Sequence, residues 1–187
     1  MKILLFGAKC MGKDVIGELL ARRLGIPFFD LDDQIGKKYG ISMEEFEKTV
    51  SPGERDRKRG VMIRKLMRKN ENLVLSVTPL TDPEFFKEKL YGPDVLSVEL
   101  YDLPQNIYSR FGLADEDGKD FEDYDIAERL DILSKRTHIL EDLIHYTTEQ
   151  KSIPAIKIFD MEGDPPERAV DRLLEKYFPD SEKTIKQ

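Results

Sequence analysis

The strongest constraint on this chain is the stretch Gly7-Ala8-Lys9-Cys10-Met11-Gly12-Lys13, which lies directly after the apolar run Ile3–Phe6 and directly before a helical pattern. Glycine, four residues, glycine and lysine in that setting admit few folds. A buried strand must deliver the chain to the loop and a helix must carry it away. Only then can the loop wrap backbone N–H groups round a phosphate while the helix N-terminus adds its positive dipole end. Gly7 and Gly12 permit backbone angles and close approaches that a Cβ would block. Lys13 can reach the β- and γ-phosphate oxygens. The alternative is a glycine-rich turn that binds nothing.

The remainder of the chain repeats the same alternation. Unbroken apolar runs predict strands at Ile3–Phe6, Pro27–Asp30, Leu73–Ser76, Val95–Leu100 and Ala155–Phe159, each short enough to be buried on both faces. Between them, helical spacing predicts helices over Val15–Leu24, ended by Gly25, and over Asp32–Tyr39, Met43–Lys48 and part of Glu54–Lys69. Further helices are expected at Pro83–Leu90, from Pro104 to Arg110, over Asp125–Tyr146 and over Pro166–Tyr177. Runs of this kind make a parallel sheet covered on both faces, a three-layer α/β domain. With 187 residues, 40% hydrophobic and 36% charged, the chain suits a single domain over 1–178 with a polar tail at 179–187.

The formal charge of −7 argues against a chain that coats nucleic acid or an acidic membrane. The basic run from Arg55 to Lys69 is expected to be a solvated helix face, part of it lining a pocket. One cysteine, Cys10, excludes an internal disulfide and a cysteine-based zinc site. It is expected to be an incidental loop side chain. His138 and His145 are expected to serve surface or packing roles. The opening apolar run is too short for a signal peptide or a membrane span, so the expected location is the cytoplasm.

Two carboxylate positions bear on chemistry. Asp14 follows Lys13, where such loops place a Ser or Thr hydroxyl that ligates Mg²⁺. A carboxylate can do the same, but beside phosphate an unscreened like-charge pair costs about 4 kcal/mol at about 4 Å. Nucleotide affinity is therefore expected to depend on metal more steeply than usual, or to be poor. Asp30 and Asp32, two apart after the second strand, suit a metal-bound water and a substrate hydroxyl. Capping of the next helix is the alternative.

These residues together resemble the shikimate kinase family of P-loop small-molecule kinases. Its G-x4-G-K-[ST]-T-x-G, L-A-x-x-L-G and F-x-D-x-D-x-x-I have counterparts in Gly7–Gly17, Leu20–Gly25 and Phe28–Ile35. Its G-x-S-I-x-x-I-F is similar to Gly40–Phe46, its G-E to Gly53-Glu54, and its L-x-x-R to Leu133–Arg136. The resemblance implies strand order 2-3-1-4-5, acceptor-binding helices over about 32–70, a lid over about 111–124, and a monomer. It implies ATP and Mg²⁺ as cofactors and a small hydroxylated acid, shikimate or a relative, as partner, with a place in aromatic amino acid biosynthesis. In that scheme Gly7, Ala8, Lys9, Cys10, Met11, Gly12, Lys13, Asp14 and Arg110 attend the nucleotide. Asp14 and Asp30 attend the metal. Lys13 and Asp32 are catalytic, and Asp32, Lys58, Arg57 and Arg136 hold the acceptor.

Four departures stand out. Asp14 replaces the metal-binding hydroxyl. Lys58 occupies the position of a carboxylate-binding arginine and lacks its planar fork; Arg57, one residue earlier, is a possible substitute. Ser76-Val77-Thr78-Pro79 replaces a triple glycine near the substrate ring, so shikimate in its usual pose is expected to fit badly. The region Arg110–Phe121 is acidic, with Lys119 the only cation after Arg110; it is expected to be a solvated loop. Two readings follow: a kinase of a small hydroxy acid, or a degenerate relative that binds nucleotide or a phosphorylated ligand as a regulator or partner.

Overall fold

The computed structural model describes residues 1–7, 11–69, 71–77, 92–103, 106, 125, 127–128 and 156–179. Ten elements are complete within them: β1 (Lys2–Phe6), α1 (Lys13–Leu24), β2 (Phe28–Asp30), α2 (Leu31–Tyr39), α3 (Met43–Thr49), α4 (Pro52–Met67), β3 (Leu73–Ser76), β4 (Val95–Tyr101), β5 (Ile156–Asp160) and α5 (Pro166–Tyr177). The strands form one sheet in the order β2-β3-β1-β4-β5, and every neighbouring pair is parallel. The expected α/β class and strand order are both present. The expected helix over 83–90 and the lid lie outside the described residues, as do the expected helices over 104–110 and 125–146 apart from 106, 125 and 127–128, and the tail beyond 179.

β1 is central and buried along its whole length, as is β3 beside it. A strand with neighbours on both sides and helices on both faces has no polar face, which is why these segments read as continuous apolar runs. Helix starts and stops follow local chemistry. Asp30 and Ser42 cap α2 and α3 through side-chain oxygens that accept the N–H of Asp33 and Glu45. α4 opens on Pro52, whose missing N–H would have had no helical partner. At the end of α1 the N–H groups of Gly25 and Ile26 turn back to the carbonyls of Arg22 and Ala21.

Beyond β4, the fully buried Asp102 carboxylate accepts the N–H of Leu103 at 2.8 Å, the Asn106 side-chain amide at 2.7 Å and the N–H of Gly163 at 3.2 Å. One carboxylate thus ties the tip of β4 to the turn that follows β5.

Packing of α1 on the sheet is close at Gly17. A Cβ there would stand 2.4 Å from Cε2 of Phe28. Gly17→Ala is expected to destabilise by about 1–2 kcal/mol, the overpacking strain exceeding alanine's better helix propensity. Gly53→Ala, in open space in the first turn of α4, should stabilise by about 0.5 kcal/mol. Urea titration of both variants checks this contrast; a Gly17→Ala chain as stable as wild type would refute it.

Candidate functional site

The carboxyl ends of β1, β2 and β3 meet at one edge of the parallel sheet, the place where open α/β sheets bind ligands. β1 delivers the chain to Gly7, whose φ of +148° and whose absent Cβ, 3.0 Å from the Leu100 carbonyl oxygen, both call for glycine. Gly12, at φ +78°, turns the chain into α1 in the left-handed region. Lys13 and Asp14 are then the first two residues of the helix. The two glycines and the strand–loop–helix order stand as the sequence requires. Met11 is fully buried in the hydrophobic core, so it can offer a ligand only backbone groups. Ala8, Lys9 and Cys10 lie outside the described residues.

Asp14 is not alone at its helix end. The Ser76 hydroxyl, at the tip of β3, donates to Asp14 Oδ1 at 2.7 Å. Ser76 is in register with Asp30 on one side and Leu5 on the other, so the strand tips fix its position. Asp30 serves both readings given for it. It caps α2 by accepting the Asp33 N–H at 2.8 Å, and it faces Asp14. Burial raises its pKa to about 6. The Asp33 N–H opposes that shift, while the charge and hydrogen bonding of Asp14 and the charge of Asp32 add to it.

The sign of this shift gives a test. A carboxyl with a raised folded-state pKa binds its proton more tightly in the native chain than in the unfolded one. Its contribution to stability is therefore present below about pH 4 and is lost as pH rises to about 6. Asn caps a helix as well as Asp. Asp30→Asn is thus expected to gain stability relative to wild type between pH 4.5 and pH 7. Urea midpoints at the two pH values check this, and a gap that closes with rising pH would contradict it.

Asp32, in the first turn of α2, is held from across the site. Arg59 of α4 donates through Nη2 to Asp32 Oδ1 at 3.3 Å, and the same nitrogen is 3.9 Å from Glu47. The Arg59 side chain is 6% exposed and the Asp32 side chain 28%. The guanidinium also lies 5.5 Å from the Phe46 ring centroid. Lys58 and Arg57, the expected acceptor-binding cations, both pair with Glu54, Arg57 through two nitrogens at 2.7 Å and Lys58 at 3.2 Å. Their hydrogen bonds, Arg57's foremost, pull the Glu54 pKa down to about 2. Lys58 also sits 4.4 Å over the Tyr39 ring.

Arg59 is the cation that the motif reading left out. A signal for it existed. Arg59, Met62, Ile63 and Leu66 follow helical spacing, and all are buried on the inner face of α4. Arg110 and Arg136 lie outside the described residues, as do Thr78, Pro79, His138 and His145. Val77 is described: it is fully buried, and its N–H donates to the Leu5 carbonyl at 2.8 Å, extending the sheet by one residue.

Among the described residues, no three His, Cys, Asp or Glu side chains group to hold a metal. Asp14 and Asp30 make a pair, which suits Mg²⁺, an ion that takes one or two carboxylates and fills its shell with water and phosphate oxygens. Among the same residues no helix is long and apolar enough to cross a membrane.

Residues 9–80 match the protein family described as shikimate kinase. The shikimate kinase of Aquifex aeolicus is 47% identical over 49 residues, a segment that spans 26% of this chain and 29% of that relative. The crystal structure of shikimate kinase from Bacteroides thetaiotaomicron superposes with a TM-score of 0.66 at 22% identity, covering 94% of this chain and 97% of the other. A gluconokinase from Sinorhizobium meliloti superposes with a TM-score of 0.58 at 16% identity, covering 96% and 97%. At these identities the structural matches speak for the fold.

Proposed function

From the match of residues 9–80 to the shikimate kinase family, we propose that the chain is a member of that family and transfers the γ-phosphoryl group of ATP to a hydroxyl of a small acid, shikimate or a relative. The observation that carries this reading is the gathering of Lys13, Asp14, Asp30 and Ser76 at one sheet edge, directly after a glycine turn into α1. Lys13 and the amides at the start of α1 hold the phosphates. Asp14 and Asp30 hold Mg²⁺, which when bound neutralises charge on the β- and γ-phosphate oxygens. Asp32 accepts from the acceptor hydroxyl and orients it toward the phosphorus, and Arg59 keeps that carboxylate in place. Lys58 and Arg57 supply positive charge on the same helix for the acid, with Arg110 and Arg136 as the family's further cations. Reaction of this kind is driven by positioning and charge compensation.

ADP formation from Mg·ATP, measured at high chain concentration with shikimate, with gluconate and with neither, tests the proposal. An acceptor-dependent rate with one of the acids upholds it and identifies the acid. Tight ADP binding with no acceptor-dependent rate would sink it. That result would favour the second reading, a nucleotide-binding regulator, for which the observation is the carboxylate of Asp14 where the family motif has a hydroxyl.

A further inference from the structure

We propose that Ser76 is a positioning residue for the metal, its buried hydroxyl clamping Asp14 so that this carboxylate serves as the divalent-cation ligand that a hydroxyl at position 14 would otherwise be. The proposal rests on the nucleotide-and-metal reading above and names what makes Asp14 workable within it. An aspartate at an exposed helix N-terminus has a longer stem than serine, a second oxygen and a free terminal torsion. Left alone, it samples several orientations, most of them useless to an ion held against phosphate. Ser76 removes that freedom. The residue is 1% exposed, and its backbone is locked between the ladders to Leu5 and Asp30. Its hydroxyl proton is committed to Asp14 Oδ1 at 2.7 Å. One carboxylate oxygen is thereby fixed to the sheet beside the tip of β2, where Asp14 meets Asp30 and the two carboxylates can share a cation. The hydroxyl missing from the loop thus reappears on β3, one contact further from the ion. Partners that orient a ligand in this way commonly govern metal affinity.

The test is the binding of Mn²⁺ alone to the full chain, followed by electron paramagnetic resonance, with ADP affinity measured separately. Ser76→Ala is expected to weaken Mn²⁺ binding by about 10–100-fold. Ser76→Thr, which keeps the hydroxyl, should stay within about threefold of wild type, and Asp14→Asn should lose at least as much as Ser76→Ala. Should the alanine variant fail to fold, Ser76→Cys takes its place, because a thiol fits the same space and donates only weakly. Equal Mn²⁺ affinity in wild type and the alanine or cysteine variant would overturn the proposal, as would loss in the threonine variant or absence of Mn²⁺ binding to wild type. ADP affinity is read separately in every variant, so the kinase reading stands or falls on its own assay. Absence of both ADP binding and Mn²⁺ binding sinks the two together.

Discussion

Under the proposed kinase reading, Lys13→Met is expected to lower acceptor-dependent ADP formation by on the order of 10²–10³-fold, the scale of removing one preorganised charge-stabilising donor. The reason is placement. Lys13 is the first residue of α1, directly after the left-handed Gly12, so its backbone joins the positive end of the helix. Its ammonium adds a point charge that methionine, of similar length and apolar, cannot supply. Stability should change by no more than about 1 kcal/mol, because Lys13 is not a core residue. Steady-state turnover beside urea unfolding separates the two effects. A variant that keeps wild-type turnover would show that the glycine loop does not serve the transferred phosphate.

The second large effect concerns Asp32 and Arg59, and it is asymmetric. Asp32→Ala is expected to destabilise by about 3 kcal/mol, because it strips the main partner from a guanidinium that is almost completely buried. Glu47, at 3.9 Å, compensates little. Arg59→Met should cost about 1 kcal/mol: the carboxylate left behind retains access to water, and methionine fills the apolar space beside Phe46. The double variant should recover most of the loss of Asp32→Ala, since the guanidinium left without its main partner is then gone. Denaturant midpoints of the three chains form the cycle. Equal costs for the two single variants, or no recovery in the double, would contradict this account of the pair. Turnover should fall in both single variants, in Arg59→Met through a misplaced Asp32.

Much of this was legible in the chain itself. The apolar runs at Ile3–Phe6 and Leu73–Ser76 became buried central strands because a parallel sheet covered on both faces leaves no polar side to interrupt them. The bounds of Leu73–Ser76 and Pro166–Tyr177 agree with the structure to the residue. The strand order came from the family likeness, since periodicity alone carries no order. At the site, the glycine loop and the carboxylates of Asp14, Asp30 and Asp32 were readable from spacing. Which of the consecutive cations on α4 turns inward was not settled by motif position. It depends on helix phase, and the apolar stripe through Met62, Ile63 and Leu66 brings in Arg59 and leaves Arg57 59% exposed. The Ser76–Asp14 contact joins residues 62 positions apart. It arises from sheet register, which local sequence does not encode.

The buried carboxylate of Asp102 has a practical consequence. Two loop amides, Leu103 and Gly163, are bonded to an anion inside the protein. Their protons should therefore resonate well downfield of ordinary loop amides and exchange slowly with deuterium oxide. Those two signals give nuclear magnetic resonance a built-in reporter on whether the tips of β4 and β5 stay joined, readable without any engineered label while a nucleotide is titrated in at the opposite side of β1.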